Sequence, residues 1–517
     1  MSTQTVTHPP LTNRRWWVLA VLCLSLFMVV VDNTIVNVAL PTLSTELEAS
    51  TSSLQWIVDA YTLVFSALLL AFGYFGDRNG RRLALQLGLV VFALTSVLAA
   101  LSQSAEQLIG ARAFVGVGAA LIFPATLAII INVFTDVRER ALAIGIWSGV
   151  TGLAVAAGPV TGGLLLEHFW WGSIFLVNVP IAALALLAGR VLVPDSSDPR
   201  PGRLDRVGLL MSVSAVGLGV WAIIEGPHRG WTSAAVVVAG LSATAILASF
   251  IVYESRIAHP LLDVRLFRNP RFSAASVAIA SAFFGLFGFI FLITQYLQLV
   301  QGYSPLEAGV RTVPFAVVTG AFSPMSIALM HRFGSKLVVA SGLALMSAGF
   351  LLASTLSADS AYLGGVLASM VVMAAGLGLT TSPATEAIMG ALPQDKAGVG
   401  SAVNDTTREL GGTLGVAIVG SVFASLYGPQ LVDGLAGFPE QVIAIAEESM
   451  GAAVIVAEQA PNGAQILAAA QDAFMAGFAA GSLVAAAATA VGAALALLWL
   501  PARAREQAPV PQRAPAA

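Results

Sequence analysis

The chain has 517 residues, of which 57% are hydrophobic and only 10% charged, and its formal net charge is −3. Such a composition excludes a soluble globular domain, and the near-balanced charge carries no nucleic-acid signature. A single cysteine, Cys23, excludes an internal disulfide framework and a cysteine-based metal site, so neither a metal nor a cofactor is expected.

Crossing the hydrocarbon takes about 20 apolar residues, and segments of that kind fall near 15–40, 56–76, 83–101, 107–131, 141–166 and 172–193. The first follows Arg14 and Arg15 but is too long for the core of a cleaved signal peptide, so it reads as a retained helix. A Pro- and charge-rich break, Pro194 to Arg203, cannot lie in lipid. Two more spans follow near 207–225 and 233–253, then a polar loop from Glu254 to Arg271. A second set of six lies near 272–300, 307–330, 337–357, 362–390, 397–425 and 475–499. The expected fold is all-α and integral to the membrane: a six-helix bundle over 1–193, a linker with two inserted helices over 194–271, a second six-helix bundle over 272–500, and a tail over 501–517. The stretch 426–474 holds Glu440, Glu447, Glu448, Glu458 and Asp472 but no Lys or Arg, and reads as short surface helices on an outer face.

Basic residues test the count, since Lys and Arg of short loops stay on the cytoplasmic side. With both termini inside, the inner loops hold Arg78, Arg81, Arg82, Arg138, Arg140, Arg200, Arg203, Arg206, Arg256, Arg265, Arg268, Arg271, Arg332, Lys336 and Lys396, while the outer loops hold only Arg229. One missed helix would invert the pattern downstream, so fourteen spans, cytoplasmic termini and a cell (inner) membrane are expected.

The stretch Gly73-Tyr74-Phe75-Gly76-Asp77-Arg78-Asn79-Gly80-Arg81-Arg82 places a compact run of charge between the second and third spans. Its spacing, Gly-x-x-x-Asp-Arg-x-Gly-Arg-Arg, resembles the loop motif of the major facilitator superfamily of transporters. The resemblance implies a latch at the inner face, with Asp77 and Arg78 at its centre and Gly73, Gly80, Arg81 and Arg82 around it, that holds two halves in one orientation and lets them rock. A second, degenerate copy falls near Phe322 to Lys336, with His331 where the first copy has Asp77.

Ionisable groups inside spans tend to face a cavity or a partner, since each costs at least about 2.5–3.5 kcal/mol at the bilayer centre. Asp32 lies within Asp32-Asn33-Thr34-Ile35-Val36-Asn37-Val38-Ala39-Leu40-Pro41, a run that resembles the first-helix signature of the fourteen-helix drug:proton antiporters, the EmrB/QacA-like group. Arg112, within Leu108-x-x-x-Arg112-x-x-x-Gly116, falls at a similar depth and resembles that family's fourth-helix arginine, although Val115 stands where the family usually has glutamine. The resemblance assigns Asp32 and Arg112 to proton coupling. The fifth span, with Gly145, Gly149, Gly152, Gly158-Pro159 and Gly162-Gly163, resembles the glycine-dense helix that marks antiporters. Asp59 matches an acidic position of the cationic-drug exporters. So do Asp405 and Glu409, which are four apart and share a helix face; the resemblance implies that all three recognise substrate. Arg408 lies between the last two and could neutralise them as an ion pair.

No Gly-x-x-x-x-Gly-Lys-Ser/Thr loop occurs in the chain, which excludes the nucleotide-hydrolysing engine built on that loop and leaves the proton gradient as driver. The five histidines, at 8, 168, 228, 259 and 331, are too scattered for a membrane-embedded enzyme. The sequence thus predicts a proton-coupled multidrug efflux transporter for lipophilic, cationic compounds. Its partners would be small-molecule drugs, protons and the lipid bilayer, with no nucleic acid, and a monomer is the simplest state. Export of one dedicated metabolite, antibiotic or lipid is the alternative.

Overall fold

A computed structural model describes residues 14–198, 204–392 and 397–501. Arg200, Arg203 and Lys396 of the charge argument, the first 13 residues and the tail beyond 501 lie outside them. Among the described residues, 14 helical segments are long and apolar enough to cross a membrane, the number expected. The first half comprises α1 (Arg14–Glu46), α2 (Thr51–Asn79), α3 (Arg81–Ala100), α4 (Ala105–Val133), α5 (Val137–His168) and a sixth span made of α6 (Ser173–Leu176) and α7 (Asn178–Leu192). The inserted pair is α8 (Arg206–Arg229) and α9 (Ala234–Glu254). The second half comprises α10 (Pro270–Gln295), α11 (Pro305–Phe333), α12 (Ser335–Ala353), α13 (Leu367–Met389), α14 (Ala397–Gly434) and α17 (Gly463–Trp499), with the short helices α15 (Glu440–Glu448) and α16 (Met450–Gln459) between the last two.

Local chemistry sets several helix starts. Ser50, Ser104, Asp136, Asp205, Asn269 and Ser304 each precede a helix, and each side chain accepts a backbone N–H of its first turn, which relieves donors that have no partner within the helix. The sharp reversal between α2 and α3 runs through Gly80, whose φ of 115° is closed to other residue types without strain.

The stretch 426–474 departs from its sequence reading. Only α15 and α16 are separate short helices; α14 runs on to Gly434 and α17 begins at Gly463, well before residue 475. Tyr427 and Leu431 extend the buried face of α14. The alanine-rich sequence from Ala464 to Ala473 extends α17 toward its N-terminus, because alanine has the strongest helix propensity.

The two ends of the molecule differ. One, the motif end, carries Gly73–Arg82, and the far end lies opposite. At the far end one hydrophobic core joins the halves: Ile35, Leu40, Leu54, Val58, Leu108 and Phe175 of the first half pack in the same cluster as Phe291, Leu297, Val416 and Phe474 of the second. Toward the motif end the first half keeps a core of its own, built from residues such as Leu22, Leu26, Phe65, Leu85, Phe92 and Ile122. Helices α5 and α11 show the same divergence. Near the far end their backbones touch, since a Cβ on Gly163 would lie 2.5 Å from Leu306 Cα and one on Gly309 would overlap the Pro159 carbonyl. Toward the motif end Gly145, Gly149 and Gly152 of α5 and Gly320 of α11 meet nothing within 4 Å, and Leu142, Ile146, Val317 and Met325 are exposed. The halves are therefore sealed at the far end and part between α5 and α11 at the motif end.

The inserted pair packs outside the bundles, against the seam where α2 meets α14. Helix α8 is tied to both halves: Trp56 Nε1 donates to Glu225 at 3.4 Å, and Ser421 Oγ donates to the Ile223 carbonyl at 2.7 Å.

Candidate functional site

Two polar constellations lie inside the membrane-spanning region. The first centres on Asp32 and Arg112, whose side chains are wholly buried. Arg112 Nη1 donates to Asp32 Oδ2 at 2.5 Å, and Arg112 Nε donates to the Ile57 carbonyl at 3.1 Å. Asp32 Oδ1 accepts from Asn178 Nδ2 at 2.7 Å, and the same amide reaches Ser96 Oγ at 3.4 Å. The guanidinium also stacks 4.4 Å from the centre of the Tyr61 ring and 5.8 Å from that of Phe175, a cation–π arrangement that strengthens when water is excluded. Asp32 thus meets an arginine on one oxygen and an amide on the other, and four spans of the first half converge on the pair. Arg112 Nη2 and Asn178 Oδ1 remain without a hydrogen-bond partner among the described residues.

The sequence sets Asp32 and Arg112 at one depth, and the fold brings them into contact. Sequence reasoning does not single out Asn178. The available signal is an amide inside the apolar sixth span, just ahead of Pro180, where a buried polar group needs a partner. Asn33 and Asn37, nearer in sequence, do not bond the carboxylate; Asn37 Nδ2 donates to the Asn33 carbonyl instead.

The second constellation is the seam between α2 and α14. Gln55, Asp59, Thr62 and Ser66 recur at helical spacing along one row of α2, and all four are buried. The facing row of α14 carries Asp405, Glu409, Thr413, Val416 and Gly420. Thr413 Oγ1 donates to Thr62 Oγ1 at 3.0 Å, and Gln55 Nε2 donates to the carbonyls of Val416 at 3.2 Å and Ala417 at 3.0 Å. Gly420 makes room for that amide, since a Cβ there would lie 2.5 Å from Gln55 Nε2. These contacts fix an antiparallel register that sets Asp59 opposite Val416 and Ser66 opposite Glu409. Asp59 is fully buried; Thr62 Oγ1 donates to its Oδ1 at 3.4 Å, and its Oδ2 has no partner among the described residues.

Asp405 and Glu409 are half-buried, on the motif-end side of the threonine pair. Arg408 does not neutralise them as an ion pair: among the described residues, no salt bridge within 4.0 Å joins it to either. Its Nη2 instead donates to Thr385 Oγ1 of α13 at 3.0 Å, and its guanidinium lies 5.4 Å from the Phe283 ring centre. Asp405 accepts from Asn404 at 3.3 Å, while Glu409 Oε2 has no partner among the described residues.

The motif loop is tied within its own half and to the linker. Asp77 Oδ1 accepts from Arg81, at 2.8 Å from Nη2 and 2.9 Å from Nε, and the Asp77 carbonyl accepts from Asp198 N at 2.7 Å. Arg78 reaches the Tyr74 hydroxyl at 3.0 Å, Arg81 N donates to the Ser196 carbonyl at 2.9 Å, and Arg82 lies 3.7 Å from Asp195. In this conformation these contacts join the loop to the segment that follows α7, and none of them reaches the second half. Gly73 lies against Pro124 of α4.

The glycines of α5 divide into two groups. Gly158, Pro159, Gly162 and Gly163 lie where α5 presses on α1 and α11; a Cβ on Gly162 would sit 2.7 Å from Ile35 Cγ1, and one on Gly158 would overlap the Thr34 side chain. Gly145 lies in the part of α5 that faces open space. Arg311, inside α11, has no place in the sequence reading. Its guanidinium stacks 3.7 Å from the Tyr303 ring centre, and the Tyr362 hydroxyl donates to its carbonyl at 2.7 Å, so it braces the far end of the second half.

Comparison with known proteins supplies the family. The Major Facilitator Superfamily model matches residues 22–416. The multidrug efflux pump LfrA of Mycolicibacterium smegmatis is 41% identical over 501 residues, covering 95% of this chain and 98% of that protein. The methyl viologen resistance protein SmvA of Salmonella typhimurium is 36% identical, over 89% of this chain and 93% of its own length. The tetracenomycin C resistance and export protein of Streptomyces glaucescens is 33% identical over 98% of each chain. Among solved structures, a bacterial homolog of the human lysosomal transporter Spinster, inward-facing and occupied, superposes with a TM-score of 0.66 at 16% identity over 95% of this chain and 97% of that one. On this family match and these relatives, the chain is a multi-pass membrane transporter of the Major Facilitator Superfamily.

Proposed function

We propose that this transporter is a drug:proton antiporter that exports lipophilic, cationic compounds across the cell (inner) membrane. The observation that carries the reading is the wholly buried Asp32–Arg112 pair. A carboxylate paired with an arginine inside the membrane is a switch that one proton can throw: protonation removes the charge that holds the guanidinium and frees Arg112 to reorganise α1, α2 and α4 around it. Substrate choice is assigned to Asp405 and Glu409, half-buried carboxyls on the motif-end side of the threonine pair that have no arginine ion pair among the described residues. LfrA is named for multidrug efflux and SmvA for methyl viologen resistance, and both descriptions suit a site that attracts organic cations.

The basic residues of the motif end support a cytoplasmic position for it, with both termini on the same side. The conformation is then inward-open, with the far end closed toward the exterior, and the protein works as a monomer whose two halves rock about the central seam. The name of the tetracenomycin C exporter favours a second reading, export of one dedicated metabolite by the same machinery. Purified protein in liposomes tests the proposal: a gradient acidic on the exterior face drives a cationic dye uphill toward that face, and collapse of pH gradient and membrane potential together ends accumulation. Accumulation that persists without either gradient overturns it.

A further inference from the structure

Asp59 occupies a position that substrate recognition alone does not explain. It lies on the far-end side of the Thr62–Thr413 pair, within the row of α2 that closes against α14, and no solvent reaches it. Glu409 lies on the other side of that pair. Asp59 is three residues from its threonine and Glu409 four from the other, which separates the two acids by about 10 Å along the helices. A compound held by Glu409 in this conformation is therefore walled off from Asp59 by the seam.

Among the described residues, the surroundings of Asp59 hold no compensating cation. Arg112 of α4 is engaged by Asp32 of α1 and by the Ile57 carbonyl. On α8, Glu225 is paired with Arg229 at 2.7 Å, so that side offers no free positive charge either. From α14 come Val416 and Thr413, and beyond them the carboxyl of Glu409; from α2 itself come Gln55, whose amide is committed to two carbonyls of α14, and the Tyr61 hydroxyl, which donates to the Val29 carbonyl at 3.3 Å. One oxygen of Asp59 has a long hydrogen bond from Thr62, and the other has nothing. An ionised carboxylate buried in this way carries a desolvation cost that no partner offsets, whereas the neutral acid fits.

We propose that Asp59 is a second protonation site of the transporter and that it operates the far-end gate. The seam between α2 and α14 closes on the neutral acid and parts when the acid is ionised. A proton taken up while the far end is open lets Gln55 seat in the notch at Gly420 and the two threonines meet. Loss of that proton, through the hydroxyl pair to water on the Glu409 side, leaves a bare charge in a sealed setting and favours reopening. This rests on the drug:proton reading above and adds a gate to the pair formed by Asp32 and Arg112.

The test measures the gate directly. Ser52→Cys and Gln430→Cys place spin labels at the far ends of α2 and α14, in the full chain with Cys23→Ala, reconstituted in lipid nanodiscs. In the parent the longer-distance population should rise at least about fivefold from acid to alkaline buffer. Asp59→Asn should hold the short distance at every pH, and Asp59→Glu should restore a pH-dependent population with a displaced midpoint. Asp59→Ser is a second neutral variant with the same expected result, should the asparagine protein fail to insert. A neutral variant that opens with the parental pH profile overturns the proposal, as does a parent whose distances ignore pH. Gradient-driven export by the parent is measured in parallel. Export without the Asp59 effect removes the gate alone, whereas absence of gradient-driven export removes the antiport reading and leaves the distances to decide the gate.

Discussion

Thr62 and Thr413 come from opposite halves of the chain, 351 positions apart, and their hydroxyls meet at 3.0 Å in the middle of the membrane-spanning region. The contact divides the seam into one part toward the far end, where Gln55 locks onto carbonyls of α14, and another toward the motif end, where the half-buried Glu409 lies. Replacing Thr413 with Val keeps the shape and removes the hydroxyl, leaving Thr62 without its cross-seam partner. A loss of about 1 kcal/mol from the closed state follows, read as a larger longer-distance population in the spin-label measurement.

Steric closure at the far end depends on glycine. The Gly163 position lies against the Leu306 backbone, which cannot withdraw as a flexible side chain would. Gly163→Leu should therefore prevent α5 and α11 from meeting and trap the far end open, with transport lost and membrane insertion intact; the closed state loses about 1–3 kcal/mol or more. Gly149→Ala, at a position with nothing within 4 Å, should leave this conformation undisturbed. Cysteine accessibility at the far end distinguishes the two.

The proposed reading assigns the preference for charge to Glu409 and Asp405. Glu409→Gln removes a carboxylate without changing its size, and should weaken binding of a dicationic compound by about tenfold or more while changing a neutral one by less than about twofold. Equal losses for both substrates would show a structural role instead. Binding to purified protein, measured by fluorescence or calorimetry, supplies the comparison.

In the motif loop, the Asp77 side chain pairs with Arg81. Asp77→Asn removes the charge that holds Arg81 and leaves the asparagine able to fill the same space. Transport should fall sharply with expression and insertion maintained, because the carboxylate that orients Arg81 within the loop is lost. Arg81→Lys should impair transport less than Asp77→Asn does, since one donor to Asp77 survives. Wild-type transport by well-folded Asp77→Asn protein removes the latch from the account.

Much of this architecture was legible in the sequence, for physical reasons that differ from element to element. The spans follow from the length of apolar runs, and Gly80 announced a turn by its place between charges. Asp32 and Arg112 were conspicuous because charge inside lipid demands a partner. Asn178 was not, since a neutral amide does not stand out by charge, and only the fold shows that it points at Asp32. The polar row of α2 was missed for a related reason. Gln55, Thr62 and Ser66 are ordinary residues singly, and they acquire meaning only when α14 is laid against them, a long-range pairing that periodicity within α2 cannot reveal. The direction of Arg408 toward Thr385 rather than toward its neighbours also depends on where α13 lies. Charge spacing along one helix left both outcomes open.

Arg112 should be the less replaceable member of its pair for stability. Arg112→Ala leaves Asp32 buried with only the Asn178 amide, and breaking such a pair from one side costs about 3–5 kcal/mol. Asp32→Asn leaves Arg112 its Ile57 carbonyl and its aromatic contacts, so this protein should remain folded and bind substrate. Thermal unfolding in detergent provides the ranking.

The measurement that bears most directly on the central claim is therefore uphill export by Asp32→Asn protein in liposomes, with the parent beside it and the exterior face acidified. The parent should concentrate a cationic dye toward the acidic side, and the variant should bind and equilibrate the dye but never concentrate it. Uphill export by Asp32→Asn with the parental number of protons per substrate would contradict that claim.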